Sequence, residues 1–304
     1  MKYRVYDATI QSDIHFPQLV QAQDDAEPDY YITVGQLPDV VIADIRQKGG
    51  PSGKGEGFYW LNTPGGHFAI WQENTIIASP EGEDENESIE RMRTYLLGYG
   101  LSLLFYGKGA MAVHCSAVCV GEDCILLAGK SGAGKSTLAG AFLDRGAKLM
   151  ADDVAMLQKT DREAFTYPAF PVRKLCRDAA ERGGYDLTDL TYIDEDKDKF
   201  AVDARSQFAE HGAAVRAMFI VTPEDGAGIR AQEVTGQDKI ELFVDNLFLH
   251  AMLSRDGMDP VMFFKCLEIL SVLPVYKLYR PTGKEDTTDQ LVHCVKEILG
   301  VNMK

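Results

Sequence analysis

The residues with the clearest chemical meaning form a glycine-rich loop in the middle of the chain. The loop fits the pattern G-x-x-x-x-G-K-[ST], whose backbone N–H groups wrap the phosphates of a nucleotide. Its members, together with the threonine that follows, are Gly129, Lys130, Ser131, Gly132, Ala133, Gly134, Lys135, Ser136 and Thr137. Glycine allows the backbone to turn through positive φ and to approach phosphate oxygens closely. Lys135 is expected to reach the β- and γ-phosphates of ATP, and the Ser136 hydroxyl is expected to bind Mg²⁺.

The segments on both sides of this loop have the patterns that a phosphate loop requires. Residues 124–128 are a short apolar run, typical of a buried strand. Leu138, Phe142 and Leu143 recur at helical spacing, and Gly146 stands where a C-terminal cap is expected. A helix that begins at the loop adds its N-terminal N–H groups and its dipole to the anion site. The sequence therefore predicts a strand, a phosphate loop and a helix in that order.

Two adjacent acids follow the predicted helix. Asp152 and Asp153 lie in the middle of residues 148–157, which are otherwise largely apolar and predict a strand. Buried carboxylates are costly unless they serve a metal or a hydrogen-bond network, and Mg²⁺ near a phosphate loop supplies that reason. Neighbouring residues of a regular strand face opposite sides, so we expect one acid at the Mg²⁺ shell and the other at an acceptor hydroxyl. The alternative is an Asp-Asp turn between two strands.

Further candidates lie on either side of these motifs. His114 stands 21 positions before Lys135, on the strand that leads to the loop. A single histidine in an apolar strand is more often a core residue than a functional one. Four basic residues are candidates for contacting phosphates or substrate, although solvated positions are the commoner explanation for residues of this type. They are Arg173, Lys174, Lys197 and Lys199.

Composition limits the classes of partner. The chain has 304 residues, of which 45% are hydrophobic and 25% charged, as in an ordinary globular protein. Its formal net charge of −15 repels polyanions, so neither nucleic acid nor an anionic membrane is expected as a partner. The N-terminus has no apolar signal segment and no run approaches the length of a membrane span, which predicts a cytoplasmic protein. Among the six cysteines, Cys115, Cys119 and Cys124 lack the spacing of a zinc site and are expected to fill the core.

The patterns divide the chain into three parts. Residues 1–86 are β-rich, with a hairpin expected around residues 72–74 and a loop at 49–53. Residues 87–110 predict a connecting helix that stops at Gly107. Residues 111–304 carry the loop and the acids, and begin with a β-hairpin that leads into the loop. The predicted fold class is α/β, with a P-loop core and a β-rich N-terminal subdomain.

Taken together, these residues resemble the HPr serine kinase/phosphorylase family and its shorter relatives. The resemblance runs from about His114 to Leu157. It includes the loop and the run Asp144-Arg145-Gly146-Ala147-Lys148-Leu149-Met150-Ala151-Asp152-Asp153. Weaker similarity continues at residues 167–175 and 273–281. The resemblance implies a P-loop kinase core of HPr-kinase type that uses ATP and Mg²⁺.

The resemblance also implies a role for each matched residue. Carried over by position, Asp153 takes the proton from the acceptor serine and His114 lies close to it. Lys135 contacts the phosphates and Ser136 binds Mg²⁺. Asp152 is then the acid left for the Mg²⁺ shell.

The sequence departs from the family in two places. It lacks the Glu-containing signature beyond the Asp pair, and it lacks the Pro-Gly-Arg-Asn loop that the family's phosphorylases use for dephosphorylation. We therefore expect a one-way ATP-dependent kinase that phosphorylates a serine of a peptide or protein other than HPr. Some shorter relatives phosphorylate a lasso-peptide precursor, which makes a ribosomal precursor peptide one candidate acceptor.

Other interpretations stay open at this point. The chain could be a non-catalytic ATP-binding regulatory sensor, although the intact Asp pair argues against a protein that only binds. A bifunctional HPr-type kinase/phosphorylase is a further alternative. A carboxykinase-like metabolic enzyme is supported by fold analogy alone. A homo-oligomer is compatible with the sequence.

Overall fold

The computed structural model describes residues 1–194, 198–226, 228–253, 259–283 and 287–300. It divides into two compact units, which are Met1–Ala112 with Phe248–Asp259 and Val113–Leu247 with Pro260–Lys304. The sequence places residues 248–259 in the C-terminal domain, whereas the contacts of the described residues in this range, 248–253 and 259, group them with the first unit. The chain thus passes three times between the units.

The elements are numbered in chain order. The strands are β1 (Lys2–Val5), β2 (Ala8–Ser12), β3 (Val20–Gln21), β4 (Tyr30–Val34), β5 (Ser52–Gly55), β6 (Phe58–Thr63), β7 (Gly66–Trp71), β8 (Thr75–Pro80), β9 (Met111–Val120), β10 (Asp123–Ala128), β11 (Lys148–Ala151), β12 (Val154–Lys159), β13 (Ala164–Thr166), β14 (Val172–Cys176), β15 (Thr191–Asp194), β16 (Lys199–Asp203), β17 (Ala213–Glu224), β18 (Arg230–Val234) and β19 (Val275–Pro281). The α-helices are α1 (Asp39–Lys48), α2 (Glu85–Tyr95), α3 (Leu101–Gly107), α4 (Lys135–Leu143), α5 (Arg177–Arg182), α6 (Gly236–Asp245), α7 (His250–Leu253), α8 (Pro260–Leu270) and α9 (Thr288–Leu299). A π-helical segment, Leu96–Gly100, joins α2 to α3, and short 3₁₀ turns lie at Leu187–Asp189 and Arg205–Gln207.

The first unit is built on one eight-stranded sheet with the order β3-β1-β2-β4-β8-β7-β6-β5. Aromatic residues fill its core, because they pack well on a pleated surface, and Trp60 and Phe68 are fully buried. The hairpin expected around residues 72–74 is confirmed as β7 and β8. Helix α1 covers part of the sheet through Val41, which packs in one cluster with Phe58 and Trp60.

The helix expected over residues 87–110 is two α-helices joined by the π-helical segment. Helix α2 begins after Asp84, whose side chain accepts hydrogen bonds from the N–H groups of Asn86 and Glu87. Helix α3 ends at Gly107, as predicted. The π-helical segment inserts a wider turn between the helices, and Leu96, Leu97 and the first six residues of α3 are all buried.

The second unit is built on another eight-stranded sheet. Its main order is β10-β9-β12-β13-β17-β19-β18, with β11 beside β9 and β10 also paired with β17. The predicted hairpin of β9 and β10 is confirmed, and Ala128 lies opposite Cys115 in its register. Strand β10 is parallel to β17 on its other side. Residues 124–128 are therefore enclosed and all buried, as expected of the strand that enters the loop.

Helix α4 follows the loop and packs on this sheet. Its residues Leu138, Phe142 and Leu143 are buried, as their spacing predicts. Gly146 follows the helix with φ of 87°, the left-handed conformation of a C-terminal cap. A separate three-stranded sheet, β14-β16-β15, completes the unit. The chain is thus a mixed α/β protein, as predicted, whereas an HPr-kinase type of core stays a prediction.

The strand expected over residues 148–157 is interrupted. Strand β11 ends at Ala151 and β12 begins at Val154, so Asp152 and Asp153 form a turn between two strands. Asp153 has φ of 79°, in a left-handed region that aspartate tolerates better than most residues. The expectation that the acids face opposite sides of one regular strand is therefore wrong. The Asp-Asp turn, which the sequence left as the alternative, is the observed conformation.

Two further expectations concern the cysteines and the membrane. All six cysteines are free, and Cys115, Cys119 and Cys124 are buried, as expected of core residues. Cys266 is also buried, whereas Cys176 is exposed. Over the described ranges, the helices are too short or too polar for any of them to span a membrane.

Candidate active site

The glycine-rich loop has the backbone that its pattern predicts. Gly129, Gly132 and Gly134 have φ of 127°, 78° and 102°. A Cβ on Gly129 would lie 2.7 Å from the carbonyl oxygen of Val221 on β17, so that no other residue fits without a shift of the backbone. Helix α4 begins at Lys135, which directs its first N–H groups toward the loop. The loop is therefore shaped to hold an anion at a helix N-terminus.

The Lys135 side chain folds back over the loop. Its Nζ donates to the carbonyl oxygens of Gly129, at 2.7 Å, and Lys130, at 3.2 Å. Burial lowers the pKa of Lys135, and the charge of Lys199 acts in the same direction. The carboxylates of Asp152 and Asp153 are close enough to Lys135 to act in the opposite direction. The loop lysine and the acidic turn thus share one electrostatic site.

Asp152 is the buried acid of the turn. Its Oδ1 accepts a hydrogen bond from the Ser116 hydroxyl at 2.6 Å, and its Oδ2 accepts one from the Lys174 backbone N–H at 2.7 Å. Only 6% of the residue is exposed, and burial raises the pKa of its carboxyl group. Asp152 therefore ties the turn to β9 and β14.

Asp153 is the acid that faces other charged side chains. Its Oδ2 accepts a hydrogen bond from Lys174 Nζ at 2.7 Å, and its Oδ1 lies 3.6 Å from His114 Nδ1. Burial by itself would raise the pKa of Asp153, but the charge and hydrogen bond of Lys174, with His114 and Lys199, bring it down to about 2. The carboxylate is therefore ionised and paired.

Asn246, at the end of α6, connects the glycine-rich loop to β9, the strand that contains His114. Its side-chain Oδ1 accepts from the Gly129 N–H at 3.1 Å, and its backbone carbonyl accepts from the His114 N–H at 2.8 Å. Its Nδ2 donates to Leu242 within the helix, at 2.7 Å. The residue is 9% exposed. Sequence reasoning missed Asn246, because it belongs to no motif and lies more than a hundred residues from both partners.

Strand β14 is fixed against the start of α4. Arg173 Nη2 donates to the carbonyl oxygen of Ser136 at 3.2 Å, and only 9% of Arg173 is exposed. A Cβ on Gly140 would lie 2.7 Å from that nitrogen, so glycine at this position leaves room for the guanidinium group. Arg280, on β19, donates from its Nε to the loop carbonyl oxygen of Ala133 at 2.9 Å. Two arginines thus fix the loop and the first helical turn.

The structure brings most of the predicted site residues together. His114, Lys135, Asp152 and Asp153 form one cluster, while Lys130, Ser131 and Thr137 are exposed on the loop and at the start of the helix. Three of the four basic candidates belong to this region. Arg173 and Lys174 make the contacts given above. The charge of Lys199 lowers the pKa of both Lys135 and Asp153. The fourth candidate, Lys197, lies outside the described residues.

The donor set fits a magnesium ion held mainly by its nucleotide. Within the part of the chain that the structure describes, no group of three or more His, Cys, Asp or Glu side chains could hold a metal ion by itself. Mg²⁺ in nucleotide sites usually takes one or two protein oxygens and completes its shell with phosphate and water. The Ser136 hydroxyl and the Asp152 carboxylate are oxygens of this chemical type, and each Asp152 oxygen retains a lone pair beyond its hydrogen bond.

Comparison with known proteins finds matches among solved structures alone. No protein-family model matches the chain, and no curated protein matches it. Among solved structures, the chain is similar to the HPr(Ser) kinase/phosphatase from Coxiella burnetii. The similarity has 14% sequence identity and a TM-score of 0.33, and covers 62% of this chain and 95% of that chain. A similarity of this size does not place the chain in that protein's family.

Proposed function

We propose that this protein transfers the γ-phosphoryl group of ATP to a serine hydroxyl in an Mg²⁺-dependent reaction. The observation that supports this most is the position of Asp153. A left-handed turn holds its carboxylate beside His114 and within the electrostatic reach of Lys135. A site that only binds a nucleotide does not need a carboxylate on a strained backbone within electrostatic reach of Lys135.

Each residue of the site has a separate role in the proposed phosphoryl transfer. The N–H groups of the loop and Lys135 hold the phosphates, while Ser136 and Asp152 would hold Mg²⁺. Mg²⁺, when bound, neutralises charge on the β- and γ-phosphate oxygens. The acceptor oxygen attacks the γ-phosphorus, the bond from that phosphorus to the ADP oxygen breaks, and the hydroxyl proton passes to Asp153. His114 orients the Asp153 carboxylate or the acceptor.

The acceptor we propose is a serine in a peptide or protein, and a ribosomal precursor peptide of the lasso type is the specific candidate. Neither nucleic acid nor an anionic membrane suits a chain with a net charge of −15. The acceptor must reach Asp153, whose side chain is 20% exposed and therefore partly accessible.

Labelling with [γ-³²P]ATP tests this function. The wild type would be incubated with serine peptides and proteins encoded beside its gene, in parallel with Asp153→Asn and Lys135→Ala. Label on a serine that is lost in both variants is the expected result. Transfer at the full rate by Asp153→Asn would contradict the assignment of the base. ATP binding without any labelled product would favour the regulatory sensor instead.

The direction of the reaction needs its own experiment. A phosphoserine product would be incubated with inorganic phosphate and enzyme, and pyrophosphate would be measured. None is expected from a one-way kinase. Formation of pyrophosphate would establish the bifunctional alternative.

A further inference from the structure

Lys174 contacts both acids of the turn at once. Its backbone N–H donates to Asp152 Oδ2 and its Nζ donates to Asp153 Oδ2, each at 2.7 Å. The Lys174 and Asp153 side chains are only 19% and 20% exposed, so water screens their ion pair weakly. In this arrangement the ammonium group occupies one of the two carboxylate oxygens of Asp153, and the other faces His114.

The main chain of Lys174 is fixed, but its side chain is long. Arg173 ties β14 to the carbonyl oxygen of Ser136, in the first turn of α4, and the Lys174 N–H is held by Asp152. The ammonium group is a compact charge on a flexible four-carbon stem, and it can change partners without movement of the strand. A bound triphosphate places its strongest negative charge at the γ-phosphate, which Lys135 is placed to reach.

The charges around the turn favour such a change of partner. Lys174 contacts Asp153 directly, Lys199 lowers the pKa of Asp153 through its charge, and Lys135 interacts electrostatically with both acids. His114 adds a group that can carry positive charge. Without a nucleotide, the carboxylates are the available anions for these cations. A γ-phosphate carries more negative charge than one carboxylate and accepts charge-assisted hydrogen bonds from lysine.

We propose that Lys174 exchanges partners when ATP binds: it leaves Asp153 for the γ-phosphate and thereby frees the carboxylate for the acceptor hydroxyl. This inference rests on the proposed function, because it requires a triphosphate on the loop. The exchange couples nucleotide binding at the loop to the availability of Asp153. Asp153 becomes available only when a transferable phosphoryl group is in place.

The exchange has a consequence for binding that needs no acceptor. Asp153 and the γ-phosphate compete for one ammonium group, so the native carboxylate weakens ATP binding. ADP has no γ-phosphate and leaves the pair intact. The competition therefore affects ATP and not ADP, whereas simple repulsion between a carboxylate and phosphates would not require Lys174.

Calorimetric titration with ATP and with ADP, both with Mg²⁺, tests the exchange in the wild type, Asp153→Asn, Lys174→Met and the double variant. Asp153→Asn is expected to tighten ATP binding by about fivefold to tenfold, with ADP changed by less than about twofold. Lys174→Met is expected to weaken ATP binding by about tenfold and ADP binding by less than about twofold. In the Lys174→Met background, Asp153→Asn should no longer tighten ATP binding.

The controls separate the exchange from loss of structure and from failure of the proposed function. Lys174→Arg keeps the charge and should keep the preference for ATP over ADP, and Asp44→Asn, an identical substitution in the first unit, should change neither affinity. Tighter ATP binding by Asp153→Asn that persists without Lys174 would overturn the exchange in favour of charge repulsion. Equal changes for ATP and ADP would also overturn it. A wild type that binds neither nucleotide would instead contradict the proposed function.

Discussion

Each unit of the molecule contains a carboxylate paired with a lysine, and the two pairs are built differently. In the first unit, Asp44 pairs with Lys48 at 2.9 Å, one turn later in α1. The indole N–H of Trp60 also donates to Asp44, at 2.7 Å. In the second unit, Asp153 pairs at 2.7 Å with Lys174, which lies 21 residues away on β14. One pair is formed within a helix, and the other requires the tertiary fold.

Backbone conformation and exposure separate the pairs further. Asp44 lies in a regular helix, and its partner Lys48 is 46% exposed and well hydrated. Asp153 has φ of 79°, and its partner Lys174 is 19% exposed. A strained backbone costs stability, and both strained residues and perturbed ionisable groups concentrate at functional sites. Stability alone explains the helix pair, whereas the turn pair calls for a function.

The largest expected difference between the pairs is in phosphoryl transfer. Asp153→Asn removes the proposed proton acceptor and should lower kcat by about 10²- to 10⁴-fold. Asp44→Asn makes the same change in a structural pair and should alter kcat by less than about twofold. Initial rates with saturating ATP and a labelled serine peptide measure both. Equal losses in the two variants would remove the functional distinction between the pairs.

The glycines of the two units extend the comparison to the backbone. Gly129 has φ of 127° and faces the Val221 carbonyl oxygen, whereas Gly57 has φ of 77° and no atom within 4 Å of an added Cβ. Gly129→Ala should therefore lower the free energy of unfolding by about 3 kcal/mol, from strain and overpacking together. Gly57→Ala should lower the free energy of unfolding by about 1 kcal/mol, from the strained backbone conformation alone. Urea denaturation measures both, and equal losses would show that the close approach to Val221 is unimportant.

Features of the site that depend on residues close in sequence were predictable, whereas features that depend on distant residues were not. The loop and the β9–β10 hairpin were predictable because their residue types and spacings are local. The turn at Asp152 and Asp153 was not, because residues 148–157 read as one strand. Its conformation depends on Ser116 and Lys174, which are 36 and 21 residues away from the acids they contact.

The same reasoning explains what sequence analysis undervalued or missed. Lys174 and Arg173 resemble solvated basic residues in the sequence, and only the fold shows that their charged groups are held against Asp153 and the first turn of α4. Asn246 has no local pattern, because its two functional contacts come from β9 and the loop. Helix α1 was not predicted either, since only Val41 among its residues is buried and its apolar stripe is short.

Asn246 provides a smaller test of how far the site depends on distant contacts. Asn246→Ala leaves the Gly129 N–H without its acceptor and should cost about 1–3 kcal/mol of stability, with weaker ATP binding. Asn62, on β6 of the first unit, donates to the Gly50 carbonyl oxygen at 2.6 Å in an exposed hydrogen bond. Asn62→Ala should cost less than about 1 kcal/mol and leave ATP binding unchanged. Thermal unfolding and nucleotide titration measure both, and an unaltered ATP affinity in Asn246→Ala would show that the loop does not need this contact.

The smallest expected effect is the pH dependence of the helix pair. Burial opposes ionisation of Asp44, but hydrogen bonds from Lys48 and Trp60 and the charge of Lys48 leave its pKa below the ordinary value. A carboxyl group whose pKa is lower in the folded than in the unfolded state stabilises the fold above the unfolded pKa. That stability is lost as the pH falls through the folded pKa. Since Lys48 is well exposed, the contribution should be at most about 1 kcal/mol.

The wild type and Asp44→Asn should therefore differ in free energy of unfolding at pH 6, and the difference should shrink below about pH 4, near the unfolded pKa of aspartate. Added salt should reduce the difference at pH 6 as well, because it screens an exposed lysine. Asp153 has the same sign of shift but a pKa of about 2, so its contribution should persist to lower pH. Urea denaturation of the wild type and both Asp→Asn variants at pH 6, 4 and 3 compares the pH ranges over which the two carboxylates lose their contributions to stability. A difference for Asp44 that stayed constant over this range would mean that Trp60, which donates equally to a neutral acceptor, accounts for the whole interaction.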